Sequence, residues 1–279
     1  MSAVSRIPQY TAQWTRPVLQ IAKYTLHEAV RRRFMNVILL FGIVVIASSS
    51  MFAAWAPGAE LKMIVDTGLG AIRIFGLLMA VFLGAILIPT EIEKKTIHVL
   101  LAKPVSRMQF LLGKFLGAYL TVLLNIVLMG LAFLAVMYLK RSAFAGEKAM
   151  AFLYPNLAAA LVLMMFELLV LTGIAITVST IASWVFTAVF SFFVYFAAQL
   201  RTTLGHLAEP GHYDNPISQG ILSVLHVVLP HFDDFDVRQK IIGGEPVLAN
   251  YVGMCILGAL LYTGILLLLG YFVFHEREV

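Results

Sequence analysis

Residues 74–114 read IFGLLMAVFLGAILIPTEIEKKTIHVLLAKPVSRMQFLLGK, and the fold turns on the change at Pro89. Up to that proline the chain is an unbroken apolar run. Just beyond it stand Glu91, Glu93, Lys94 and Lys95. An α-helix needs about 20 apolar residues to cross ~30 Å of hydrocarbon. A run of that kind, ended abruptly by charge, reads as a membrane span and its exit into water.

Working outward, the same pattern recurs. The spacing predicts spans at roughly 34–55, 70–89, 111–139, 157–180, 183–200 and 249–274. Of the 279 residues, 61% are hydrophobic and 13% charged, and the mean hydropathy is +0.90. Soluble domains run near 25% charged and 45–50% apolar, so the surplus must face lipid. Continuous rather than alternating apolar stretches argue against a transmembrane barrel. The expected fold class is therefore an all-α integral membrane protein with six transmembrane helices, forming one compact membrane domain over residues 1–279. The fourth and fifth runs are nearly fused. A split at Ser179 to Trp184 is needed, because a single helix across both would be about twice a bilayer.

Net charge is +5. Membrane topology accounts for it, so no nucleic-acid partner is inferred. With the N-terminus inside, the inner segments hold Arg6, Arg16, Lys23, Arg31, Arg32, Arg33, Lys94, Lys95, Lys103, Arg107, Lys114 and Arg277. The outer segments hold Lys62, Lys140, Arg141, Lys148, Arg201, Arg238 and Lys240. This bias puts both termini in the cytoplasm. The one cysteine, Cys255, lies in an apolar run and cannot form an intrachain disulfide.

Three stretches outside the spans have their own pattern. In residues 1–33, Val18, Ile21, Ala22, Leu26, Ala29 and Val30 share a helical face opposite Gln20, Lys23, Glu28 and Arg31, which predicts an amphipathic helix on the inner membrane surface. In the extracytoplasmic segment 201–248, Asn215-Pro216 opens a predicted half-helix that Pro230 ends, since Asn caps helices and Pro suits their first position. His206, His212, His226, His231, Asp214, Asp233, Asp234 and Asp236 share that segment at no metal-ligand spacing, so they read as solvated loop residues. Third is the stretch after Pro89. Thr90 suits a cap, Glu91 and Glu93 a helix N-terminus, and Pro104 an interruption. A new helix should start near Ser106 and run through Gly113-Lys114 into the third span. Such a short helix between two spans can act as a lever or can simply rest on headgroups.

That stretch resembles the signature of ABC transporter permeases of the second exporter type. In that family an acidic residue ends the second span. A Thr-hydrophobic-Leu-Leu run follows, then Pro-Val-Ser-Arg, then Gly-Lys opening the third span. Glu91, Glu93, Thr96, Leu100, Leu101, Pro104, Val105, Ser106, Arg107, Gly113 and Lys114 stand at those places here. Lys95 stands where the family usually has glycine. The six spans, cytoplasmic termini, N-terminal helix and outer half-helix are similar to the family too. The nearest subgroup resembles permeases labelled "multicopper enzyme maturation".

The resemblance implies that 91–110 is a coupling helix in the cytoplasm. Glu91, Glu93, Lys94, Lys95, Thr96, Leu100, Pro104 and Arg107 would then meet an ABC ATPase subunit. It also implies a second permease copy, identical or related, in the cell inner membrane, with membrane lipid around both. The chain itself has no Gly-x-x-x-x-Gly-Lys-Ser/Thr phosphate loop. It is therefore not expected to be an enzyme or to bind a cofactor; ATP and Mg belong to the partner. A non-transporting scaffold and an intramembrane enzyme are the alternative readings, though no catalytic set stands out.

Two charges fall inside spans. Glu167, near the middle of the fourth, reads as lining a pathway or subunit interface, or as held by Asn125 or another buried polar group. Arg73, near the outer end of the second, is expected to snorkel to headgroups.

Overall fold

The computed structural model describes residues 7–55, 57–93, 106–140, 147–199 and 229–276. The described residues are mostly helical, with no strand among them. The helices are α1 (Ile7–Val30), α2 (Arg33–Ala53), α3 (Glu60–Glu93), α4 (Arg107–Leu139), α5 (Glu147–Ser179) and α6 (Trp184–Gln199). A 3-10 turn at Asp233–Phe235 and a short α7 (Arg238–Ile242) precede α8 (Ala249–Glu276). Five helices are long and apolar enough to cross a membrane, and α6 is a shorter apolar helix. The protein is a multi-pass helical membrane protein.

The spans α2, α4 and α8 lie where the sequence puts them. The separation of α5 from α6 falls within Ser179 to Trp184. Thr180 and Ser183 serve the break with their hydroxyls: Thr180 Oγ1 donates to the Thr177 carbonyl at 2.7 Å, and Ser183 Oγ accepts from the Phe186 amide at 3.5 Å. Two Ser/Thr side chains thus do what Gly or Pro does elsewhere.

α3 departs from expectation at both ends. It starts at Glu60, ten residues before the predicted span, and runs 34 residues, about 51 Å of helix. The extra turns are held because Ile64, Val65, Gly68 and Leu69 are buried against the bundle. At its other end α3 passes through Pro89 and is described as far as Glu93. Thr90 is not a cap: its hydroxyl turns back to the Ile86 carbonyl, and Glu91 and Glu93 belong to α3 rather than opening a new helix. Pro89 deprives the Ala85 carbonyl of its i→i−4 donor, a loss that membrane helices tolerate where neighbouring groups satisfy the backbone. The predicted coupling-helix residues Lys94, Lys95, Thr96, Leu100 and Pro104 lie outside the described residues, as does the half-helix predicted after Asn215.

α4 begins as its sequence predicts. Ser106 accepts from the Gln109 amide at 3.2 Å and the Gln109 side chain accepts from the Ser106 amide at 2.9 Å, a reciprocal cap worth about 1 kcal/mol.

α3 and α5 form the centre, and α2 and α8 flank it, with α8 the most exposed of the long helices. Between helices in lipid, close backbone approach and van der Waals contact carry association, because the tails are as apolar as leucine. α1 shows the principle. Its apolar face packs along α4, burying Val18, Ala22, Thr25 and Ala29. The seat is made by Gly113 and Gly117. A Cβ on Gly113 would come within 2.7 Å of Ile21, and one on Gly117 within 2.5 Å of Thr25. The amphipathic face predicted for contact with the membrane surface is thus partly spent on α4, while Leu19 and Tyr24 remain exposed.

Candidate functional site: two ionic clamps on the central helix

Each end of the bundle is fastened to α3 by a buried cation. At the end where α4 begins, Lys114 Nζ lies 2.7 Å from Glu91 Oε1 and 5.8 Å from the centre of the Phe110 ring. Lys114 is 1% exposed. It can be buried because it is one turn and more inside α4, facing the last turn of α3, where a carboxylate and an aromatic face replace water. Arg107, in the first turn of α4, donates to the Phe274 carbonyl at 2.7 Å and lies over the Phe274 ring. Phe110 stacks on the same ring. The start of α4 is therefore tied both to α3 and to the end of α8.

The second clamp sits toward the opposite end. Arg73 of α3 is 5% exposed, and its donors reach four parts of the chain. Nε and Nη2 donate to Glu167 Oε1 on α5 at 3.0 and 2.7 Å. Nη2 also meets Gln199 Oε1 at the end of α6 (3.1 Å) and the Phe232 carbonyl (3.3 Å). Nη1 donates to Asp236 Oδ2 at 2.5 Å. Asp236 in turn takes Arg238, whose Nη2 is 2.6 Å away and whose amide and Nε bond Oδ1. Tyr195 of α6 sets its ring 6.0 Å from the guanidinium. Glu167 is fully buried, and its Oε2 accepts no hydrogen bond among the described residues. Burial alone would raise the Asp236 carboxyl, but the Arg238 hydrogen bonds and the Arg73 and Arg238 charges overcome it and hold that carboxyl below its ordinary range.

These contacts correct three expectations. Arg73 does not snorkel to headgroups: acceptors on α5, on α6 and in the turn after Pro230 draw its guanidinium inward. Glu167 is held by another buried polar group, Arg73, and not by Asn125, whose side-chain amide donates to the Thr121 carbonyl of its own helix at 2.8 Å. Asp236 is likewise a network member rather than a solvated loop residue, while His231 is exposed. Of the predicted ATPase-contact residues among those described, Glu91 and Arg107 are engaged within the chain and Glu93 is exposed. Lys114, Gln199, Asp236 and Arg238 were missed. A hint was present: one cation and one anion, each alone in an apolar span, are each expensive without a partner.

No three His, Cys, Asp or Glu side chains come together as a metal site among the described residues.

The family model described as ABC-2 family transporter protein matches residues 12–279, and the chain belongs to that family. The match supports an ABC-2 type permease and does not extend to the copper-maturation subgroup. A search of curated proteins gives no match.

Proposed function

We propose that the chain is the membrane-spanning subunit of an ABC exporter. A separate ATPase subunit seats on the segment joining α3 to α4, both chain termini lie in the cytoplasm, and a second permease copy completes the pathway. ATP and Mg act on the partner subunit. Membership of the ABC-2 family supports the permease role. One observation of geometry supports the coupling: the Glu91–Lys114 ion pair fastens the last turn of α3 to the first turns of α4. A push on the segment between them then reaches both helices together, because packed helices shift as rigid units rather than bend.

The test is co-purification of the ATPase with the full-length permease. Charge reversal at Lys94→Glu with Lys95→Glu should remove the ATPase from the complex while membrane insertion stays normal. Undiminished retention of the ATPase by that double variant would exclude docking through this segment. Arg107 is the wrong probe, because its exchange also breaks the contact to Phe274.

A further inference from the structure

A cavity of about 490 Å³ lies between α5, the first half of α8 and the turn after Pro230. It falls in the usual range for small-molecule sites and has their make-up, an apolar lining with few polar groups. Val170 supplies the α5 wall, while Met254, Leu261 and Ile265 supply the α8 side. It is open laterally: Met254 is 76% exposed. Gly258 lines it, and a Cβ there would meet nothing within 4 Å, so the space beside that glycine is real.

Polar chemistry is confined to one end. Tyr251 donates to the Asp234 carbonyl at 2.6 Å, and the Lys240 ammonium stands 4.1 Å from the centre of the Tyr251 ring. The Asp234 carboxylate makes no ion pair among the described residues and is half-buried at the rim. That end thus has one anion in its lining, Asp234, and one cation, Lys240, just outside the lining against the tyrosine ring. From Tyr251 to Ile265 the α8 wall runs about 21 Å, against ~15 Å for one leaflet's share of the hydrocarbon.

The geometry points to a seat for one phospholipid with a zwitterionic, amine-bearing headgroup. An acyl chain lies along Gly258, Leu261 and Ile265; the headgroup amine meets Asp234 and its phosphate meets Lys240. The paired charges at the rim select this occupant over an anionic lipid, which Asp234 would repel. The apolar groove, open to the bilayer, selects a tethered chain over a soluble ligand. The seat requires only that the chain sit in a bilayer. Loss of lipid and loss of ATPase coupling are therefore separate readouts.

The experiment is native mass spectrometry of the full-length protein released from bilayer discs of equal phosphatidylethanolamine and phosphatidylglycerol. Wild type is expected to retain one phosphatidylethanolamine in preference to phosphatidylglycerol. Gly258→Leu fills the groove and should cut retention at least tenfold without lowering the melting temperature. Gly253→Leu, also on α8 with open space beside it but outside the lining, should leave retention unchanged. Asp234→Asn should abolish the headgroup preference while leaving a lipid bound. Should Gly258→Leu not fold, Ile265→Trp blocks the deep end of the same groove and replaces it. Equal retention of both lipids by wild type, or full retention by a folded groove-filling variant, overturns the assignment.

Discussion

Arg73 and Glu167 are 94 positions apart in the chain and 2.7 Å apart in space. They join the two central helices at a point that water does not reach. Removing one partner of such a pair leaves an uncompensated buried charge and costs about 3–5 kcal/mol. Arg73→Met should therefore lower the melting temperature sharply in detergent. The double variant Arg73→Met with Glu167→Met should recover much of the loss, since a well-packed apolar pair is often as stable as the ionic one. A double variant no better than the single would show that Gln199 and Asp236, not Glu167, hold the arginine.

The Glu91–Lys114 pair is open to a swap. Glu91→Ala strands an ammonium that is almost fully buried, a loss of about 3–5 kcal/mol. Glu91→Lys with Lys114→Glu should restore most of it, and with it any ATPase stimulation by cargo. Measuring both readouts on the three proteins separates a fold defect from a coupling defect, because coupling that stays lost in a folded swap would refute the shared-lever role.

α1 is held by its close approach to two glycines. Gly117→Val places a methyl-bearing carbon within 2.5 Å of Thr25 and 2.7 Å of the Ala22 carbonyl, and a backbone atom cannot give way. Overpacking of this kind costs about 1–3 kcal/mol. The expected result is release of α1, read as faster proteolysis within residues 7–30, with the span helices intact. Unchanged protection would mean that Val18 and Ala29 suffice to hold α1.

Acid should loosen the segment that follows α6. The Asp236 carboxyl is held below the ordinary carboxylate value of about 3.9 by Arg238 and Arg73, against the opposing effect of burial. Its folded pKa being depressed, its contribution to stability is complete above the ordinary value. That contribution is lost as pH falls from there through the lower folded value. Thermal melts should be flat in this respect from pH 7 to about 5 and decline below about 4. Asp236→Asn should be less stable at pH 7 and show a shallower acid limb; an identical acid limb would place the titration elsewhere.

Much of this architecture could be read from the residues. Apolar run lengths fix the helices, Ser179 to Trp184 fixes the break, and Ser106 with Gln109 fixes the start of α4. All of these are local patterns. What could not be read is long-range or depends on shape. The true start of α3 depends on the neighbours that bury Ile64 and Leu69. Thr90 fits a cap by type, but α3 continues past it through Glu93. Arg73 near a span end fits snorkelling, and only the fold shows that Glu167, Gln199 and Asp236 arrive on three other segments to hold it. Asp236 sits in a polar stretch where nothing distinguishes a buried aspartate from a wet one.

The guanidinium on α3 also sets terms for biogenesis. Its partners are translated later, Glu167 by 94 residues and Asp236 by 163. In that interval the nascent helix carries a lone cation near one end of its span, at a cost below the roughly 2.5–3.5 kcal/mol that insertion scales give for a bilayer centre. Neighbouring leucines and isoleucines offset part of that. The helix must stay near a polar surface, whether the insertion channel or the bilayer edge, until the fifth helix enters. Final settling into lipid is then a joint event late in synthesis, and the arginine acts as its timer.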